Sequence, residues 1–257
     1  MVNILLSGAN GRMGRVIAEM AGNSSRYSIT AGIDINCGSG TAYGSFPVFS
    51  ALSEYRGGAD VIVDFSHHSA LEGLLAFAIR EKLPIVVATT GHTPGEIEMM
   101  KAAAHAIPIF YSRNMSLGIN LLMELVKKAA AALEGFDIEI VESHHRMKLD
   151  APSGTALMLA DAAASVFPAD EKPAYVYDRT ERREPRPANE IGIHSVRGGT
   201  IVGEHQVIFA GNHEVVTLSH SAESRAVFAE GALRAAAYLI GKPAGLYDMA
   251  DLVNEIE

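Results

Sequence analysis

Apolar residues follow two alternating patterns along the first third of the chain. Short, nearly continuous apolar runs occupy positions 2–7, 28–34, 61–65, 84–88 and 107–111. Between them the apolar positions return every three or four residues. This holds over 12–22, through Leu71, Leu74, Leu75, Ala78 and Ile79, and over about 94–105. The first pattern predicts strands buried on both faces, and the second predicts helices with one apolar stripe. Their alternation predicts an α/β unit in which helices cover both sides of a parallel sheet.

The pattern changes after about residue 115. A long helix is expected over 117–133, a strand over 137–143 and a helix over 153–167. The stretch 178–189 is rich in Arg and Glu, carries Pro185 and Pro187, and reads as an exposed loop. Apolar runs at 191–197, 201–210 and 213–220 follow with only Gly or Asn turns between them. Successive strands without intervening helices predict a mixed or antiparallel sheet, hence a second domain. A helix over 223–240 is expected to close the chain, and pattern alone leaves open which domain it joins.

Composition narrows the function classes. The chain has 257 residues, enough for one or two domains with real cores. Lys and Arg number 21 against 30 Asp and Glu, a net charge of −9. That balance argues against general binding of nucleic acid or an anionic membrane, while leaving room for a small anion held by local cations. Cys37 is the single cysteine, so no intrachain disulfide or cysteine zinc site is available, which fits a cytoplasmic setting. No apolar run nears the roughly 20 residues of a membrane span, and positions 1–7 lack a basic leader, so neither an anchor nor a targeting segment is expected.

Gly8-Ala9-Asn10-Gly11-Arg12-Met13-Gly14 stands where the first strand meets the first helix. Glycines there permit a tight turn and close approach of backbone to a pyrophosphate, which the helix N-terminus then attracts. Asp34 ends the second strand, where a carboxylate accepts the adenosine ribose hydroxyls of NAD. The same charge repels a 2′-phosphate, and Ile35 supplies no offsetting cation, so NADH is expected over NADPH, with Arg12 as the complicating neighbour. Ala88, Thr89 and Thr90 follow one predicted strand, and Ser112, Arg113, Asn114 and Met115 follow another. Both loops lie at strand ends where an α/β sheet binds ligands, and their small polar residues suit a nicotinamide.

The segment from Glu142 to Ala156 places His144, His145, Arg146 and Lys148 at a predicted strand end. Ser153 and Thr155 are candidate caps of the following helix, whose first amides, with Gly154, can receive an anion. Cations beside a helix N-terminus make a carboxylate or phosphate cradle. A histidine there can serve as general acid or base, and Lys148 as an anchor or proton donor. No acid–histidine helix motif accompanies the histidine pair, so no metal is expected.

Several motifs now line up in order: GxxGRMG at 8–14, Asp-Phe-Ser at 64–66, Thr-Thr-Gly at 89–91 and NMSxGIN at 114–120. ESHHRMKLDAPSGTA at 142–156 and RGGxxxGEH at 197–205 complete the series. Essentially end to end, the chain resembles the 4-hydroxy-tetrahydrodipicolinate reductase (dihydrodipicolinate reductase) family of the diaminopimelate route to lysine. The resemblance implies a Rossmann-type dinucleotide-binding domain from residues 1–115 plus 221–257, with an inserted mixed-sheet α/β domain at 116–220 for substrate binding and oligomerisation. It implies a cytoplasmic homotetramer, a small dicarboxylate substrate and a nicotinamide cofactor. By resemblance, His144 is the catalytic proton donor and acceptor and Lys148 the second proton donor. His145, Ser153, Gly154 and Thr155 bind the substrate. Gly8 to Met13, Asp34, Ala88 to Thr90 and Ser112 to Met115 contact the dinucleotide. Arg225, expected on the last long helix, is a further helper. The chain departs from the family pattern at Ala88, where many members have glycine, and at Ile35, where some carry an arginine that tolerates NADPH. Another dehydrogenase on the same fold and a non-catalytic NADH sensor are the competing readings. The His-His-x-x-Lys motif argues against the first, and the lack of any recognisable DNA-reading element argues against the second.

Overall fold

A computed structural model describes residues 1–37, 41–43 and 45–255. The first elements are β1 (Val2–Ser7), α1 (Arg12–Gly22), β2 (Tyr27–Ile33), β3 (Thr41–Tyr43), β4 (Phe46–Phe49) and β5 (Val61–Asp64). Then come α2 (Leu71–Glu81), β6 (Ile85–Val87), α3 (Pro94–Ala103), β7 (Pro108–Tyr111), α4 (Leu117–Ala132), β8 (Asp137–His144) and α5 (Gly154–Ala164). The chain finishes with β9 (Ala174–Val176), β10 (Glu190–Arg197), β11 (Gly203–Ala210), β12 (Val215–Ala222), α6 (Ala226–Leu239), β13 (Gly245–Tyr247) and α7 (Met249–Asn254). These form two compact units, Met1–Leu117 with Ala226–Glu257, and Gly118–Arg225. No helix among the described residues is long and apolar enough to cross a membrane.

The first unit is built on a sheet ordered β13-β7-β6-β5-β1-β2-β4-β3. All its pairings are parallel except β3 with β4. Side chains alternate along each strand, and both faces are buried. Ile4, Leu6, Val63, Val86 and Phe110 pack with Ile17 of α1 and Ala232, Leu233 and Ala236 of α6. Leu5, Ile62, Ile85, Val87 and Ile109 pack with Leu74 and Ala78 of α2 and Met100 of α3. The chain reverses its direction of winding between β2 and β5, on either side of β1, which is the switch point where such sheets receive ligands. The fold class is therefore α/β, with a Rossmann-like parallel sheet and a separate mixed sheet, as the alternation implied.

The second unit has a sheet ordered β12-β11-β8-β10-β9. β8, β10 and β9 run parallel, and β11 is antiparallel to β8 and β12. Ile138, Ile140, Ile191, Val207 and Phe209 meet Leu122 and Val126 of α4 and Leu159 and Ala163 of α5. Burial along β8 alternates to its end, so Glu142 and His144 continue the buried row begun by Ile138 and Ile140.

Three expectations need correction. The last long helix begins at Ala226, so Arg225 lies in the turn before it. The chain does not close on that helix, because β13 and α7 follow. The polar stretch 178–189 is a loop, but three of its arginines are not free in solvent, Arg182 reaching Glu190 at 3.0 Å. Arg179 bridges Glu139 and Glu190 at 2.8 and 2.6 Å, and Arg186 meets Glu139 and Asp137. The Glu190 side chain is only 3% exposed, and a buried carboxylate requires such partners.

Candidate active site

In the first unit the glycine loop leaves β1 in a conformation that its glycines make possible. Gly8 has φ +78, and a Cβ there would lie 2.6 Å from the Phe65 carbonyl oxygen. A Cβ on Gly14 would lie 2.2 Å from the Gly8 oxygen, so helix and loop are in backbone contact. Gly11 caps α1 without a side-chain bond, leaving the first-turn amides at Arg12 and Met13 to an incoming anion. Asp34 sits just past β2 and binds the loop directly. Its Oδ2 accepts the Asn10 amide at 2.8 Å and its Oδ1 the Asn36 amide at 3.0 Å. A cavity of about 410 Å³ opens over Gly8, Gly11 and Asp34, walled by Ile35, Leu52 and His67. Size and lining suit the adenosine half of a dinucleotide. A cradle that any Cβ would fill, with a strand-end carboxylate beside it, fits a nicotinamide dinucleotide.

His67 was not singled out from the sequence. Its Nδ1 accepts the Ser69 amide at 3.3 Å, so the ring proton sits on Nε2 as a donor. The two remaining loops are held from within. Thr89 is buried and donates its hydroxyl to Asp64 at 2.7 Å, while Thr90 is exposed. Ser112 donates to the Asn114 carbonyl, and Asn114 Oδ1 accepts the Ser116 amide. Met115 and Ala88 are buried, Arg113 is exposed, and Gly231 of α6 presses on the Met115 carbonyl with no room for a Cβ.

The second unit gathers its polar groups around Glu142, which is fully buried. His144 Nδ1 donates to Glu142 Oε2 at 2.5 Å. Arg197 donates to both carboxylate oxygens, at 2.8 and 2.7 Å, and the Ser153 amide donates to Oε1 at 3.1 Å. Burial alone would raise the Glu142 carboxyl, but hydrogen bonds from Arg197, Ser195 and His144 outweigh it and hold the group at about 2. Burial lowers His144, the charges of Lys148 and Arg197 push the same way, and the bond to Glu142 opposes them.

Ser153 caps α5, its hydroxyl oxygen accepting the Ala156 amide at 3.1 Å. The same oxygen lies 3.1 Å from His205 Nε2. His205 is buried against the His144 ring at 5.2 Å between centroids, and burial followed by the neighbouring His144 lowers it to about 4. Gly154 is exposed and Thr155 half-buried at the open end of α5. Lys148 Nζ lies 2.9 Å from Asp150 Oδ1, and His145 is half-buried one residue beyond His144. Unit two thus brings His144, His145, Lys148, Ser153, Gly154 and Thr155 together within one segment and its helix. The sequence reading gave Glu142, Arg197 and His205 no role, although all three stood inside its motifs. Among the described residues no group of three or more His, Cys, Asp or Glu is arranged to hold a metal.

Comparison with known proteins adds an independent result. The family described as dihydrodipicolinate reductase, N-terminus, matches residues 2–115, and its C-terminus matches residues 118–253. The chain belongs to the dihydrodipicolinate reductase family. The resemblance carried by the motifs is borne out. The 4-hydroxy-tetrahydrodipicolinate reductase of Caldanaerobacter subterraneus subsp. tengcongensis is 55% identical over 255 residues, 99% of each chain. The enzyme of that name from Clostridium tetani is 45% identical over 99% of this chain and 98% of its own. A dipicolinate-bound dihydrodipicolinate reductase from Paenisporosarcina sp. TG-14 superposes with TM-score 0.78 at 25% identity, covering 96% of this chain and 97% of that one. GenD2 of gentamicin A biosynthesis, solved with NAD, shares the fold at TM-score 0.60 and 15% identity, over 98% of this chain and 90% of its own.

Proposed function

We propose that this member of the dihydrodipicolinate reductase family converts 4-hydroxy-tetrahydrodipicolinate to tetrahydrodipicolinate, with loss of water, on the diaminopimelate route to lysine. The reaction consumes one reduced dinucleotide and one proton and releases the oxidised dinucleotide and water. The observation that carries it is the joining of a proton-handling histidine to a helix N-terminus through one buried carboxylate. His144 Nδ1 and the Ser153 amide meet on Glu142. When bound at the glycine loop, the reduced nicotinamide supplies the hydride. The chain's own residues do the rest. Gly154 and Thr155 at the start of α5, with His145 and Lys148, hold the two carboxylates of the substrate, which is why an acidic protein keeps a local basic cluster. His144 and Lys148 hold and deliver the protons that the departing hydroxyl and the reduced ring require.

Asp34, with Ile35 85% exposed beside it and carrying no charge, favours NADH over NADPH. The substrate domain is the insertion Gly118–Arg225, close to the expected 116–220, and the dinucleotide domain is the remainder. The family resemblance supports a cytoplasmic homotetramer. The deciding experiment couples aspartate semialdehyde, pyruvate and the upstream synthase to this protein and follows NADH and NADPH oxidation separately. Turnover that depends on both the synthase and this chain is the expected result. Absence of turnover with either dinucleotide would remove the assignment.

A further inference from the structure

Glu142 receives hydrogen bonds from three separate parts of the chain. Oε2 takes the His144 ring from the same strand and one Arg197 nitrogen from β10. Oε1 takes the other Arg197 nitrogen and the Ser153 amide at the threshold of α5. The bidentate arginine already compensates the buried charge. The contact with His144 is thus additional to what burial of the carboxylate demands. Arg197 is itself anchored by donating to the Asp150 carbonyl at 2.7 Å, so the clamp also reaches the loop that carries Lys148.

We propose that Glu142 is the positioning residue of this site, holding His144 as the Nδ1–H tautomer so that Nε2 is the nitrogen that handles the proton, and fixing the substrate-binding start of α5 to the same carboxylate. The catalytic meaning rests on the reductase reading above, whereas the tautomer does not. An ionised carboxylate offers only acceptors, so the 2.5 Å contact requires the hydrogen to sit on His144 Nδ1. Nε2 is then left over Gly203, where an added Cβ would come within 3.1 Å of it. The groups facing the ring are Glu142 on its own strand, Lys148 from the following loop, Arg197 on β10 and His205 on β11. Only Glu142 among them is negative. It therefore supplies the stabilisation a protonated ring needs, while Arg197 keeps that stabilisation from becoming permanent.

The test combines ring-nitrogen NMR with kinetics on the full chain, in the unmodified protein, Glu142→Gln, Glu142→Asp and Glu142→Gln with Arg197→Met. The double variant removes both buried charges and covers the case in which the single variant fails to fold. The unmodified protein should show His144 protonated at Nδ1. Both glutamine variants should lose that uniform tautomer and about a hundredfold in kcat, with KM for NADH within twofold. The limb of the kcat profile that reports His144 should move to lower pH, and Glu142→Asp should recover part of the loss. An Nε2–H tautomer in the unmodified protein overturns the proposal. So does a folded glutamine variant that keeps its kcat, or one that loses kcat and stability with the tautomer unchanged. Lack of any reductase turnover in the unmodified protein would sink the functional reading instead, with the tautomer still measurable.

Discussion

At Asp34 both carboxylate oxygens accept backbone amides, from Asn10 and Asn36, so the negative charge is fixed where the second strand ends. A 2′-phosphate would bring about two further negative charges against it. The bare repulsion is about 4 kcal/mol per unit-charge pair at 4 Å and an effective dielectric of 20, and solvent at the rim reduces it to about 1–2 kcal/mol. We expect kcat/KM to favour NADH by about tenfold, the preference to weaken as salt rises, and Asp34→Ser with Ile35→Arg to reverse it, all measurable by steady-state kinetics. His144→Gln and Lys148→Met should each lower kcat by at least about a hundredfold with KM for NADH nearly unchanged. Turnover at the original rate in either variant would contradict the roles assigned. The glycine loop, His144 and Lys148 were legible as candidates because they lie in contiguous motifs, at 8–14 and 142–156, and Asp34 because it ends a predicted strand. Glu142, Arg197 and His205 were not, because their meaning depends on pairing. Arg197 meets Glu142 across 55 positions of sequence only because β10 lies beside β8.

The helix that opens at Gly154 joins a stabilising cap to the proposed substrate end of the site. Ser153 satisfies the Ala156 amide with its hydroxyl, at the end of the helix where the substrate is proposed to bind. Ser153→Ala should cost about 1–2 kcal/mol in unfolding free energy, since it removes both the cap and the oxygen facing His205. KM for the dicarboxylate should rise with it, because the first turn then frays at the proposed substrate site. Denaturant unfolding and substrate titration check the two halves, and an unchanged midpoint would show the cap to be dispensable. Elements of this length announced themselves by periodicity, as α1, α2 and α4 did. Short edge strands did not. β3, β9 and β13 have three residues each at sheet edges, whereas the equally short but central β6 stood out as a fully apolar run, and the 178–189 stretch looked solvated because its acidic partners Glu139 and Glu190 lie on β8 and β10. The strand order β12-β11-β8-β10-β9 has no local signature either, since it is set by which edges meet after collapse.

For the whole molecule, the buried imidazoles make stability depend on acid. His205 is held near 4 in the folded chain, below its ordinary 6.5, because burial disfavours its charged form. The unfolded chain therefore takes up a proton first as pH falls. Stability is full above about 6.5 and declines by about 3 kcal/mol as pH approaches 4. His144 and His220 are lowered in the same direction. Glu142 acts in a separate window, losing its contribution only as pH drops from about 4.5 toward 2. Calorimetry between pH 7 and 4 should show the decline, and His205→Gln should flatten it. A level profile would mean that the folded and unfolded rings take up their proton over the same pH range. The first unit has a further property, because its sheet is completed by a segment that lies beyond the inserted unit. Ala232, Leu233 and Ala236 of α6 cover Leu6, Val63 and Phe110, yet α6 starts only at Ala226. On a ribosome adding about 5–20 residues per second, the insertion alone takes roughly 5–20 s to emerge. Throughout that interval the face of the nascent sheet that α6 shares with α1 is covered by α1 alone. A chain stopped at residue 225 should accumulate in aggregates or on chaperones while the full chain stays dispersed. For this protein, then, the last long helix to be translated is also the one that ends the period of greatest exposure to misassembly.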